Sequence, residues 1–230
     1  MSGVALVTGG ARNLGRAIVL ALARSGYDVV VNARTDLEGA EKVAAEAREI
    51  GVSAVCALAD VGSPEQVQRM FAAADSLGPV RALVNNAAVR TQVPAYDVTA
   101  TDWESVRSVT LDGAMHCVFE ALPRLRSAGG GAIVSIIGGN ALRGDARRFH
   151  VSAAKYGLVG MTKGLAAACA PDGISVNAVS PSHMEPDPGM AAAEQETQRR
   201  RDAVADAVAF LASPSGVDVT GQLIEVGAAR

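Results

Sequence analysis

The stretch Thr8-Gly9-Gly10-Ala11-Arg12-Asn13-Leu14-Gly15 is the first in this 230-residue chain whose residue types imply chemistry. Gly9 permits a sharp turn and Gly15 permits close packing of a helix on a strand. A helix opening at that point offers unpaired N–H groups to a pyrophosphate. The apolar run Val4 to Val7 precedes the stretch, and helical spacing with Ile18 and Leu22 on one stripe follows it. Strand, glycine turn and helix together favour a dinucleotide site over a plain tight turn. About 20 residues further on, an acid would hold a ribose 2′-hydroxyl. Ala33 stands there, followed by Arg34. With no carboxylate to repel a 2′-phosphate, and with Arg12 and Arg34 to bind one, NADP(H) is expected rather than NAD(H).

Two histidines, His150 and His183, are candidates for proton transfer, since an unperturbed imidazole titrates near pH 6.5, about where neutral chemistry needs it. Each also reads as a surface histidine. Arg143, Arg147 and Arg148 surround Asp145, and Arg199-Arg200-Arg201 forms a second basic run. Such clusters can receive a carboxylate, a phosphopantetheine arm or an acidic carrier protein, or be simply solvated.

The elements that must position these residues alternate from end to end. Strands are expected over Val4 to Val7, Asp28 to Asn32, Ser53 to Leu58, Ala82 to Asn85, Ala132 to Ile137, Ile174 to Val179 and Gln222 to Val226. Helices are expected over Arg16 to Ser25, Leu37 to Ile50, Pro64 to Ser76, Thr101 to Arg126, Ser152 to Ala170 and Arg201 to Ala212. The alternation predicts an α/β fold, a Rossmann-type doubly wound parallel sheet in a single domain over residues 1–230. Ala87 to Val98 and Pro181 to Glu196 read as irregular, and residues 181–200 as the segment over the substrate.

Composition narrows the function classes. An apolar share of 49% with a net charge of −3 excludes disorder and leaves no basic face for nucleic acid. No apolar run reaches the roughly 18 residues of a membrane span. The opening Met-Ser-Gly-Val-Ala-Leu-Val has no basic or apolar leader region, so a secretory signal is not expected. Cys56, Cys117 and Cys169 are odd in number and far apart, which suits reduced thiols in a cytoplasmic protein and no metal site.

Further stretches complete a pattern: Ala59-Asp60-Val61, Asn85-Asn86-Ala87-Ala88, Asp102-Trp103, Asn177-Ala178-Val179-Ser180-Pro181 and Val219-Thr220-Gly221-Gln222. In this order and at these intervals, with the glycine stretch, the chain resembles the short-chain dehydrogenase/reductase family over essentially its whole length. The resemblance is greatest to the 3-oxoacyl-carrier-protein reductase branch. Asn13, Ala88 and Ser182 stand where that family has glycine. The resemblance implies that Thr8, Gly9, Arg12, Asn13, Leu14 and Gly15 hold the cofactor's phosphates. Asp60 and Val61 then hold its adenine, Asn86 and Ala87 lie beside it, and Pro181 reaches the nicotinamide. It implies a small-molecule substrate, a homo-oligomer (dimer or tetramer), and an assembly face on the central helix with Val106, Val109, Ala114, Val118 and Leu122.

The catalytic pattern departs from the family. Lys155 matches the lysine that binds the nicotinamide ribose and lowers the pKa of a tyrosine. The tyrosine position is Val151, the serine position Gly138 and the asparagine position Thr110. A positioned general acid contributes about 10²- to 10⁴-fold in rate, so carbonyl reduction by the usual route is impaired. Tyr156 lies about 100° round the helix from the cofactor side. Tyr96 reads as a packing aromatic, Ser135 as core-facing, and Ser152 as lying on the wrong side of the helix. Three functions follow: an oxidoreductase in which Lys155 works with His150, His183, Thr110 or water; a non-redox cyclase, isomerase or dehydratase; or a non-catalytic, cofactor-binding subunit.

Overall fold

The computed structural model describes residues 3–182 and 193–227. Its centre is a seven-stranded sheet in the order β3-β2-β1-β4-β5-β6-β7, with every pairing parallel. The strands are β1 (Val4–Val7), β2 (Asp28–Ala33), β3 (Ala54–Leu58), β4 (Val80–Asn85), β5 (Gly131–Ile136), β6 (Ile174–Pro181) and β7 (Leu223–Val226). β1 is completely buried, as a central parallel strand covered on both faces must be. Its side chains alternate: Ala5 and Val7 join one core, Val4 and Leu6 the other.

Helices α1 (Asn13–Arg24), α2 (Leu37–Ile50) and α8 (Ala193–Ala212) cover the first face. Ile18, Leu22, Val43, Val204 and Leu211 pack there among many alanines, and with so few aromatics the helices approach the sheet closely. The other face carries α3 (Pro64–Asp75), α5 (Gly113–Ser127) and α7 (Phe149–Cys169), with Phe71, Met70 and Leu125 as the large buried side chains. The order in which strands are added reverses between β1 and β4, so the loops leaving their carboxyl ends part and open a crevice.

Four expectations change. The central helix expected over Thr101 to Arg126 is interrupted: α4 (Ala100–Arg107) and α5 flank a π-helical turn, Ser108–Asp112. Segments distant in the chain press on it: a Cβ on Gly113 would lie 2.6 Å from Val61 Cγ2, and the Thr110 hydroxyl is tied to the Val89 backbone. A short helix, α6 (Gly139–Arg143), occupies part of the loop expected before the Lys155 helix, and α7 starts three residues early at Phe149. The last long helix starts at Ala193 rather than Arg201, so residues 193–196 of the segment expected as irregular are helical. His183 and residues up to 192 lie outside the described residues. The three cysteines are free thiols, and burial pushes that of Cys117 up to about 12.

Candidate active site

The glycine turn is fixed from two sides. The Thr8 hydroxyl accepts from the backbone N–H of Asn86 at 2.9 Å and of Ala87 at 3.0 Å, while Asn86 Nδ2 donates to the carbonyls of Thr8 and Gly9 at 2.9 and 3.0 Å. Asn32 secures the other side: its Oδ1 accepts from Gly9 N at 3.2 Å, and its Nδ2 donates to Ala57 and Ala59 carbonyls at 3.1 Å. The ends of β1, β2, β3 and β4 are thereby joined at one point. Gly9 has φ +63°, and a Cβ on Gly15 would fall 2.0 Å from the Gly9 carbonyl oxygen, so both positions require glycine. Asn13 takes φ +49°, a left-handed conformation that asparagine tolerates better than most side chains, which accounts for its place where the resemblance has glycine.

The first turn of α1 carries no acidic residue, and its cap residue Arg12 makes no side-chain cap bond. Its N–H groups are left to face a cavity of about 540 Å³. Gly9, Arg12, Asn13, Leu14 and Gly15 line one end of that cavity; Gly138, Val151, Lys155 and Pro181 line the other. A second cavity of about 240 Å³ adjoins it at Gly9, Arg12, Ala87 and Ala88, and contains Arg34, Asp60 and Val61. Asp60 accepts from Gly62 N at 2.9 Å. Asp36, which sequence reasoning does not single out, also lines this second cavity, with its carboxylate engaged by Gly39 N at 3.0 Å as the cap of α2. A glycine turn that excludes any Cβ, free helix N–H groups and two adjoining cavities fit a dinucleotide cofactor.

Lys155 is 3% exposed, and its Nζ donates to the Ile136 carbonyl at 2.6 Å. Burial, with repulsion from Arg90 as a smaller cause, pushes its pKa down to about 7. Val151 and Gly138 offer the neighbouring space no hydroxyl, and a Cβ on Gly138 would meet nothing within 4 Å.

The other candidate acids lie elsewhere. His150 is 1% exposed and outside the cavity lining; its Nε2 shares a hydrogen with the Thr91 hydroxyl at 2.9 Å and its ring packs edge-on against Phe149. Thr110 is fully buried, and its hydroxyl accepts from Val89 N at 3.2 Å. Tyr96, expected to pack, is instead wholly exposed. Tyr156 donates to the Leu142 carbonyl at 3.2 Å, away from the cavity, and Ser135 is buried outside it. Ser152 differs from expectation: it lines the cavity.

Of the basic clusters, Arg148 and Arg201 reach the lining. Arg199 and Arg200 pair with Glu196. Arg90 is a charged lining residue that sequence reasoning misses, although its signal was at hand: it directly follows Asn85-Asn86-Ala87-Ala88-Val89.

The family model described as short chain dehydrogenase matches residues 3–198, and the chain belongs to that family. It is 32% identical to the 3-oxoacyl-[acyl-carrier-protein] reductase FabG of Staphylococcus aureus strain N315 over 238 residues, covering 98% of this chain and 97% of that protein. Nodulation protein G of Azospirillum brasilense is also 32% identical, over 97% of this chain and 96% of its own length. Among solved structures, the acetoin dehydrogenase of Salmonella typhimurium superposes with a TM-score of 0.88 at 30% identity, covering 98% of this chain and 94% of that one. A short-chain alcohol dehydrogenase described as putative, from Sinorhizobium meliloti 1021, gives 0.87 at 32% identity over 97% and 94%. Membership of this oxidoreductase family implies a nicotinamide cofactor. Among the described residues no helix is long and apolar enough to cross a membrane, and no group of His, Cys, Asp and Glu is arranged to hold a metal ion.

Proposed function

We propose that this chain is an NADP(H)-dependent oxidoreductase that interconverts a carbonyl and a hydroxyl, with Lys155 in place of a tyrosine as the proton-carrying group. The observation that carries this reading is continuity: one cavity runs from the glycine turn to Lys155. A bound nicotinamide supplies or accepts the hydride. Arg34 and Arg12 line the adjoining cavity, and their positive charge favours a 2′-phosphate. Lys155, with a pKa of about 7, gains or loses a proton near neutral pH, as an oxygen passing between carbonyl and hydroxyl requires. Its hydrogen bond to the Ile136 carbonyl holds the ammonium against the end of β5. Val151 and Gly138 cannot move a proton, and the hydroxyl of Thr110 and Nε2 of His150 are engaged elsewhere. Pro181, Ser182, Glu194 and Thr197 line the cavity, which supports residues 181–200 as the substrate segment. Val106, Ala114 and Val118, expected on an assembly face, are buried in the chain's own core, with Val109 and Leu122 packed against it; exposed Trp103, Phe119 and Tyr156 on α4, α5 and α7 support assembly into a homo-oligomer instead.

The test is consumption of NADPH, followed by absorbance, with a panel of small ketones, oxo-esters and aldehydes. Turnover is expected, and Lys155→Met is expected to lower it by about 10²-fold or more. Unchanged turnover in Lys155→Met would remove Lys155 from the reaction. NADPH binding with no consumption on any carbonyl would leave the non-redox reading, in which the vacated positions 138 and 151 serve a cyclase, isomerase or dehydratase.

A further inference from the structure

The substrate end of the cavity carries more positive charge than its protein partners balance. Arg90 and Arg148 line it together with Lys155. Arg90 is exposed at the mouth of the cavity; partial desolvation lowers its pKa, with Arg148 and Arg12 adding repulsion. No carboxylate pairs with it among the described residues. Arg148 stands at the N-cap of α7 and its Nε forms a loose ion pair with Asp145 at 3.8 Å, too far for a hydrogen bond, so that this buried Nε lacks a hydrogen-bond partner. Ser152, one helical turn on, lies on the same wall with its hydroxyl also buried and unpartnered. Glu194, the acidic residue of the lining, is paired with Arg201 at 3.3 Å. Buried donors without a hydrogen bond are costly, and the Arg148 Nε and Ser152 hydroxyl, clustered beside the Arg90 guanidinium, define a place for an anion.

We propose that Arg90, Arg148 and Ser152 form a subsite for an anionic group of the substrate, a carboxylate or a phosphoryl group, so that the protein selects acidic carbonyl or hydroxyl compounds. The inference rests on reading the cavity as a substrate site, though not on its redox chemistry. The two guanidinium groups supply charge and fork geometry, and the serine hydroxyl supplies a further donor. A free carboxylate and a phosphorylated arm share this chemistry.

Calorimetric titration of the full chain, with and without saturating NADP⁺, tests it with acetoacetate, its neutral methyl ester and inorganic phosphate as probes. At least one anion is expected to bind about tenfold or more tightly than the ester, because a hydrogen bond to a charged group is lost with the ester. Arg90→Gln and Arg148→Gln should each weaken the anion about tenfold while leaving the ester unchanged, and Ser152→Ala should weaken it less. Arg90→Lys, which retains charge without the fork, should fall between. Tighter acetoacetate than phosphate binding would identify a carboxylate as the natural group, and the reverse order a phosphoryl group. Equal binding of anions and ester, no anion binding at millimolar concentration, or loss of anion binding under saturating NADP⁺ would overturn the proposal; in the last case the arginines belong to the cofactor's pyrophosphate. Anion binding sensitive to Arg90 in a protein that binds no NADPH would uphold the subsite and refute the oxidoreductase reading. Turnover of neutral ketones with no anion preference would do the opposite.

Discussion

Lys155 shows what a buried amine costs in stability at neutral pH. It is 3% exposed and its pKa falls from 10.5 to about 7, chiefly through burial and then through repulsion from Arg90. Between those two values the unfolded chain holds a proton that the folded chain does not. Stability of the cofactor-free protein should therefore rise with pH from about 7 to about 10.5, with Lys155 adding about 1.4 kcal/mol per pH unit. Urea unfolding of wild type and Lys155→Met across that window checks this: the variant should lack the added slope and be at least as stable at neutral pH. Parallel curves for the two proteins would mean that Lys155 is not buried as an unpaired amine. The identity of this lysine was legible in the sequence from its place in Ser152-Ala153-Ala154-Lys155, but its altered acidity was not, since that depends on Arg90, 65 positions away in the chain and brought alongside only by the fold.

Elements place these residues, and most of them can be read from residue types alone. Leu37–Ile50 forms the expected helix with both ends as foreseen, because Asp36 caps one end and Gly51, at φ +106°, closes the other. The π-turn at Ser108–Asp112 was not legible: its periodicity continues that of α4 and α5, and its cause is contact with Val61 and Val89 from distant segments. The same distinction holds at the site. The tight strand-to-helix turn at Gly9 and Gly15 was legible from glycine spacing, whereas Asn32 reads as an ordinary strand residue and yet ties Gly9 to the ends of β2 and β3. His150 looked available in the sequence because nothing local shows that helix α7 turns it into the core against Thr91. The turn itself can be tested by Gly15→Ala, whose methyl would stand 2.0 Å from the Gly9 carbonyl. Dinucleotide binding should be lost because β1 and α1 can no longer approach. Retained affinity in a calorimetric titration would show that the turn does not hold the cofactor.

Across the whole molecule, the reversal of strand order between β1 and β4 gathers the glycine turn, the Asn86 stretch and Lys155 around one crevice. That arrangement was legible because alternating strands and helices leave few topologies open. The charge of the crevice was not, since the chain as a whole carries −3 while the cavity gathers Arg12, Arg90, Arg148 and Arg201. Local positive potential in an acidic protein predicts that cofactor binding weakens as salt is raised. Whether the crevice holds NADP(H) is decided by titrating the purified protein with NADPH and, separately, NADH while following cofactor fluorescence. Saturable binding is expected, with NADPH preferred about tenfold or more, and Arg34→Ala should lose that preference with NADH affinity unchanged. Binding of neither dinucleotide would contradict an NADP(H) site.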